Sequence, residues 1–187
     1  MCNQWCIDFS KKAIPFLNQG SFILEIGSRD VNGSVRSVLS SLSSSYVGID
    51  IIDGPGVDEV LDVANITKRF EKKFFDVVVS TEMLEHCFDW QSAIYQMLKV
   101  LKQRGVLILT TRSPGFELHD YPSDYWRFTK KDIYNIFGSI CDLLEVQDDL
   151  TLGWPCGIGA IVRRTADDNQ LNKWINSINS YEVAKVS

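Results

Sequence analysis

The sequence predicts an α/β protein: a largely parallel sheet with helices on both faces and an antiparallel end. Three observations predict it. Apolar residues alternate along the chain between compact runs of strand length and i, i+3, i+4, i+7 stripes of helical period. Asp76–Ser80 holds three consecutive valines, the composition of a central parallel strand covered on both faces. The last strand-like runs, Leu143–Val146 and Ile158–Val162, lie too close together for a crossover helix, so they must form an antiparallel pair at the sheet edge.

In chain order, Phe9, Ala13, Phe16 and Leu17 share one helical face, and Pro15 shortens or bends that first helix. Phe22–Ile26, bounded by Gly20-Ser21 and Gly27, reads as a buried strand. Val35, Val38, Leu39 and Leu42 mark a helix after it. Tyr46–Ile51 is the next strand, ended by the turn Asp53-Gly-Pro-Gly56, and a short strand at Glu59–Leu61 precedes Asp62. Behind the valine strand, Ala93, Ile94, Met97, Leu98 and Leu101 form a stripe capped by Asp89, with Gly105 expected to stop the helix before a strand at Val106–Leu109. Thr129 and Asp132 resemble a capping box for the stripe Ile133, Ile136, Phe137, Ile140. Leu171, Trp174, Ile175 and Ile178 form a last helix after Asp167-Asp168-Asn169, either packed on its own domain or presenting a face to a second copy of the chain. The whole chain, 1–187, reads as one domain: an N-terminal helix in 1–20, a core in 21–165, and a C-terminal helix in 166–187.

Composition excludes several classes of function. Nineteen Lys and Arg against 24 Asp and Glu give a net charge of -5, so no basic field collects nucleic-acid backbone nonspecifically. No apolar run approaches membrane-spanning length, and the polar opening lacks a signal-peptide pattern, which together point to the cytoplasm. Five cysteines read as buried or free thiols. Cys2 and Cys6 supply too few ligands for a structural zinc, and no His lies near them, so no metal is expected.

The informative segment is Ile23-Leu-Glu-Ile-Gly-Ser-Arg-Asp-Val-Asn-Gly-Ser34. A buried strand ends in Glu25, turns at Gly27 and reaches a helix through a loop that again carries Gly, at Gly33. Such a turn lets a ligand approach the backbone and the free N–H groups beyond it. Asp50 closes the next strand, where a carboxylate can accept both hydroxyls of a ribose. A nucleoside ligand follows. There is no G-x-G-x-x-G, and a carboxylate at the strand end would repel a pyrophosphate, which disfavours a nicotinamide-dependent oxidoreductase.

These residues resemble the class I S-adenosylmethionine-dependent methyltransferases, in particular the small type 11-like branch. Glu25-Ile-Gly27 is similar to the first motif of that family, Asp50 to its ribose-binding acid, and Leu61-Asp62-Val63 to the segment at adenine. Phe75-Asp-Val-Val-Val-Ser-Thr-Glu-Met-Leu-Glu-His86 resembles the fourth-strand motif, and Leu98–Leu109 the helix and strand that follow; the likeness spans about 20–165. It implies a Rossmann-like, doubly wound, seven-stranded, mostly parallel sheet with an antiparallel last strand. It also implies an S-adenosyl-L-methionine site built from Glu25, Gly27, Ser28, Arg29, Gly33, Asp50, Ile51, Asp62, Val63, Thr81, Glu82 and His86. Arg29 and Val31 stand where the family has Gly, so this loop is reshaped. Arg29 then either reaches the methionine carboxylate or is ion-paired or turned to solvent.

The implied activity is methyl transfer by direct displacement to an O or N nucleophile of a small-molecule or sugar-like acceptor. A silent cofactor-binding partner subunit is the alternative. Residues 111–129 form a long connection beyond the carboxyl edge of the sheet, where acceptor recognition is expected. Arg112, Tyr121, Tyr125, Trp126 and Arg127 are the expected acceptor contacts, although Tyr125 and Trp126 could equally anchor the loop, as Phe128 is expected to do. His119 is the expected general base, with Asp120 or Asp124 behind it, and His86 is expected to pack against the cofactor.

Overall fold

In a computed structural model, residues 2–119 and 123–186 are described. Asn3 caps helix α1 (Gln4–Lys11) by accepting the Cys6 N–H, and Phe9 and Ala13 turn inward. Pro15 falls in a separate 3₁₀ turn, Ile14–Phe16, so the helix is shortened rather than bent. Strand β1 (Ser21–Ile26) follows.

The helix expected around Val35–Leu42 contracts to one turn, α2 (Arg36–Leu39), and a 3₁₀ turn, Ser40–Leu42. Serines explain the contraction: Ser37, Ser41 and Ser43 hydroxyls donate to the carbonyls of Ser34, Val38 and Ser40, a local bonding pattern that favours turns. Strands β2 (Ser43–Asp50) and β3 (Glu59–Val60) come next, then α3 (Ile66–Arg69), β4 (Phe75–Thr81) and α4 (Trp90–Val100), the last capped by Asp89.

Helix α4 ends at Val100, not at Gly105, and β5 (Leu101–Arg112) begins at once. The terminator is a distant side chain. The fully buried Arg164 guanidinium donates to the Leu98 and Leu101 carbonyls at 2.7 Å each, satisfying acceptors at the end of the helix. Lys102–Arg104 then fall in a register shift against β4, with Arg104 at φ 68°.

The remaining elements are β6 (Trp126–Arg127), α5 (Lys130–Phe137), β7 (Cys141–Asp149), β8 (Gly157–Arg164), α6 (Asp168–Ile178) and β9 (Ala184–Lys185). Thr129 and Asp132 form the expected capping box, and Asp167 forms a second one with Gln170. The main sheet has the order β3-β2-β1-β4-β5-β8-β7, parallel except for β8, which runs antiparallel to both neighbours.

Alternation along the strands sorts the core into two layers. Leu24, Ile26, Val78, Leu107 and Leu109 face α4, α5 and α6, whereas Ile23, Val77, Val79 and Ile108 face α1 and α2. Leu171, Trp174 and Ile178 of α6 are buried within the chain, and the Trp174 indole donates to the Ile136 carbonyl. That apolar face is spent internally, so a homodimer through the C-terminal helix would have to use its other surfaces. All five cysteines are free. No helix among the described residues is long and apolar enough to cross a membrane.

Beyond α6 the chain returns to the 113–129 segment. β9 pairs antiparallel with β6, and the Val186 N–H donates to the Tyr125 carbonyl. The C-terminal strand therefore straps down the connection that the sequence marked for acceptor recognition.

Candidate active site

The strand order reverses beside β1, whose neighbours are β2 on one side and β4 on the other. At such a point the loops leave in opposite directions and open a crevice at the carboxyl edge. Gly27, at φ +77°, turns the chain there, and a Cβ at this position would lie 2.9 Å from Met83 Cβ and Cγ. The close approach of the β1 and β4 ends needs Gly at that point.

Two cavities share this crevice. The larger, of about 330 Å³, has walls that include Ile49, Leu61, Val63, Met83 and Phe88, with the carboxyl groups of Asp50, Asp62 and Asp89 on an otherwise largely apolar surface. The smaller, of about 110 Å³, includes Cys2, Arg29, Val31, Ile52, Thr81 and Glu82. Gly27, Asp50, Ile51, Met83 and His86 line both. Asp50 is held by the backbone: its Oδ2 accepts the Arg29 N–H at 3.2 Å and its Oδ1 the Ile52 N–H at 3.0 Å. Each oxygen keeps a lone pair for a ligand. Asp62 Oδ1 accepts the Ala64 N–H, shaping the turn that carries Val63 into the larger cavity.

Three expected cofactor residues lie away from these cavities. Glu25 has the same strand parity as Ile23 and points toward α1 and α2, where it accepts the Tyr46 hydroxyl at 2.8 Å. Burial pushes its carboxyl up to about 7, against the lowering effects of that hydrogen bond and of Arg36. Ser28 is buried beside Gly48, its hydroxyl without a partner among the described residues. Gly33 donates its N–H to Asp30 and abuts Ile7. The motif pattern marked all three, but side-chain direction follows the strand pleat and the loop path.

On the acceptor side, charges expected to face a ligand are paired with one another. Arg112 Nε lies 2.5 Å from Glu82 Oε2, and its guanidinium stacks on Phe116 at 3.9 Å. Burial and the nearby Glu85 carboxylate push Glu82 up, while Arg112 opposes them. Arg127 is buried, grips both Asp124 oxygens at 2.5 and 2.6 Å, and donates to the Phe116 and Glu117 carbonyls. This pairing outweighs burial and holds the Asp124 carboxyl below the usual range, so Asp124 is a poor base. Tyr125 packs edge-on against Phe88, and the Trp126 indole donates to the Cys87 and Phe88 carbonyls. Arg112, Tyr125, Trp126 and Arg127 thus build the loop, and none of them lines either cavity. Asp120 and Tyr121 lie outside the described residues.

Beneath this loop His119 and His86 stack edge-on over Glu85, with centroids 4.9 Å apart. His119 Nδ1 is 2.8 Å from Asp124 Oδ2, and His86 Nδ1 is 2.5 Å from the Ser123 carbonyl. Glu85 is fully buried; its Oε2 accepts the Thr111 hydroxyl at 2.8 Å. Opposed by burial, the two imidazoles hold its carboxyl below the ordinary value. Sequence reasoning singled out neither Glu85 nor the cavity residues Met83, Phe88 and Cys2. Glu85 and Met83 stood within the fourth-strand motif, whereas nothing local marked Cys2.

A seven-stranded sheet of this order, with one antiparallel strand and a crevice beside β1, is the architecture of the class I methyltransferases. Residues 24–109 match the family model described as a methyltransferase domain. That match runs from β1 to β5. No curated protein sequence matches it. Among solved structures, an S-adenosylmethionine-dependent methyltransferase from Archaeoglobus fulgidus superposes with a TM-score of 0.68 at 12% identity, over 86% of this chain and 94% of that one. The 1,6-didemethyltoxoflavin-N1-methyltransferase of Burkholderia thailandensis, solved with bound 1,6-didemethyltoxoflavin and S-adenosylhomocysteine, gives 0.60 at 10% identity, over 87% and 78%. A chain of the Haloferax volcanii complex between the Trm112 methyltransferase activator and a putative methyltransferase gives 0.61 at 13%, over 87% and 95%. At these identities the likeness is one of fold.

Proposed function

We propose that the chain is a methyltransferase that binds S-adenosyl-L-methionine in the paired cavities and transfers its methyl group to an O or N nucleophile of a small-molecule or sugar-like acceptor. The observation that carries this reading is Asp50, presented by two backbone N–H groups on the wall common to both cavities.

The residues present fit the cofactor. Gly27 leaves a cradle that a Cβ would close, and the larger cavity combines apolar walls with carboxylates that accept hydroxyl and amino hydrogens. Asp50 would hold the ribose hydroxyls, Asp62 and Val63 would border the adenine, and Thr81, Glu82 and Arg29 would meet the methionine end in the smaller cavity. When bound, the cofactor supplies an electrophilic methyl on a sulfonium leaving group. The chain's task is then alignment and exclusion of water. His86 and Met83, on both cavities, border the path between cofactor and acceptor. Control of the acceptor's proton falls to the cluster under the loop, where Asp124 orients His119.

Calorimetric titration with S-adenosylmethionine, S-adenosylhomocysteine and NADH tests the cofactor. Binding of the first two alone is expected, and Asp50→Ala should weaken it at least about 100-fold through loss of two charge-assisted hydrogen bonds. Unchanged affinity in that variant would mean the ribose assignment is wrong. Release of S-adenosylhomocysteine across a panel of hydroxyl and amine acceptors tests transfer. Tight binding with no turnover on any of them would instead identify a silent cofactor-binding subunit.

A further inference from the structure

We propose that Glu85, His86 and His119 form a binding site for one divalent first-row transition-metal ion beside the cofactor cavities. Nothing in the sequence pattern led to this expectation, because the three residues come from the 3₁₀ turn Leu84–His86 after β4 and from the loop beyond β5, and meet only in the fold.

Three possible ligand atoms converge there. Glu85 Oε1 lies 3.9 Å from His86 Nε2 and 3.8 Å from His119 Nε2, too far for direct hydrogen bonds. The three ligand atoms all lie within 4.8 Å of one another. The other imidazole nitrogens lie close to oxygen atoms: His86 Nδ1 is hydrogen-bonded to the Ser123 carbonyl, and His119 Nδ1 is 2.8 Å from Asp124 Oδ2. A carbonyl only accepts, so the His86 Nδ1 is the donor to Ser123, which leaves its Nε2 on the Glu85 side as the ligand atom. Glu85 is fully buried, its Oε2 is satisfied by Thr111, and its Oε1 has no partner among the described residues. A fully buried carboxylate oxygen left without a partner is costly unless a cation sits beside it.

Two imidazoles and one carboxylate suit first-row ions, and a carboxylate or carbonyl behind each imidazole is the usual way such ligands are oriented. Bonds of about 2.0–2.2 Å would require only a small inward shift of the rings. Because His86 also lines both cavities, the open positions of the ion would adjoin the space beside the cofactor. Resting on the methyl-transfer reading, this selects an oxygen acceptor. A metal-bound hydroxyl loses its proton to water near neutral pH. Its oxygen then forms the bond to the methyl carbon as the carbon–sulfur bond breaks and its electron pair passes to sulfur. In that role His119 is a ligand and not the base.

The test uses the full chain, stripped with a chelator, then equilibrated with Zn²⁺ and separately titrated with Co²⁺. Roughly one ion per chain is expected, with visible Co²⁺ bands but no thiolate charge-transfer absorption. His86→Gln, His119→Gln and Glu85→Gln should each weaken Zn²⁺ binding by at least roughly 100-fold. His119→Gln, on the partly exposed loop, keeps the test decisive where Glu85→Gln fails to fold. Absence of stoichiometric uptake, uptake unchanged in both histidine variants, or a thiolate band placing the ion on Cys2 and Cys6 would each overturn the proposal. Titration of the stripped protein with S-adenosylmethionine separates the two readings. Cofactor binding without metal uptake removes the metal site alone, whereas metal uptake without cofactor binding removes the proposed function and leaves the site.

Discussion

Arg127 and Asp124 form a buried two-pronged ion pair, with both carboxylate oxygens 2.5–2.6 Å from the guanidinium, inside the loop that closes over the candidate site. The same Arg127 donates to the Phe116 and Glu117 carbonyls, and the same Asp124 accepts the His119 N–H. One pair therefore joins the two limbs of the loop and sets the position of His119. Arg127→Ala would leave Asp124 buried with only His119 beside it, and a loss of about 3–5 kcal/mol is expected in urea denaturation. A change under about 1 kcal/mol would show that the pair is not structural.

Gly27→Ala should harm binding more than folding. A methyl at φ +77° carries backbone strain of about 1–3 kcal/mol and meets Met83 at 2.9 Å. Met83 would be pushed into the cavities it lines. Cofactor affinity should fall more than about tenfold, while the melting temperature drops by roughly 2–12 °C. Wild-type affinity in this variant would show that the Met83 wall does not touch the ligand.

Glu25 makes stability depend on pH with an unusual sign. Its folded pKa, about 7, lies above the ordinary value of 4.5, so the folded chain binds more protons than the unfolded chain between those values. The group's contribution is fully present below pH 4.5 and is lost as pH rises through 7. Tyr46, Arg36, Asp30 and Asp58 are the charged or titratable groups acting on it. Glu25→Gln keeps an acceptor for Tyr46 and removes the titration, so its stability relative to wild type should rise by about 3 kcal/mol between pH 4 and pH 8. Denaturation midpoints at the two pH values measure this, and a constant difference would refute it.

Arg164 closes α4 from another element. Its guanidinium also donates to the Ala166 carbonyl and pairs with Asp168 at 2.8 Å. Arg164→Ala should cost about 3 kcal/mol or more by leaving several buried carbonyls unsatisfied. Protection from hydrogen exchange should fall first at the end of α4 and the start of α6. Uniform loss of protection across the chain would mean the side chain supports global stability only.

Apolar period and turn residues alone determined the alternation of strands and helices, the central valine strand, the Asp89 and Thr129 caps and the antiparallel end, because each is a local property of a few neighbouring residues. They likewise marked Gly27 and Asp50 at the carboxyl ends of strands, where backbone geometry dictates where a side chain stands, and the family resemblance added Asp62. What only the tertiary structure decided is which charges face a ligand. Arg112 and Arg127 looked like recognition residues and Asp124 like a base, and all three are paired with partners brought to them by the fold. The end of α4 was misread for the same reason, since its terminator, Arg164, lies 63 residues or more from the carbonyls it satisfies. The meeting of Glu85 and His86 with His119, and the strapping of the loop by β9, were likewise invisible in the linear order. Burial requires every charge to find a partner, and the choice of partner is made across the sheet rather than along the chain.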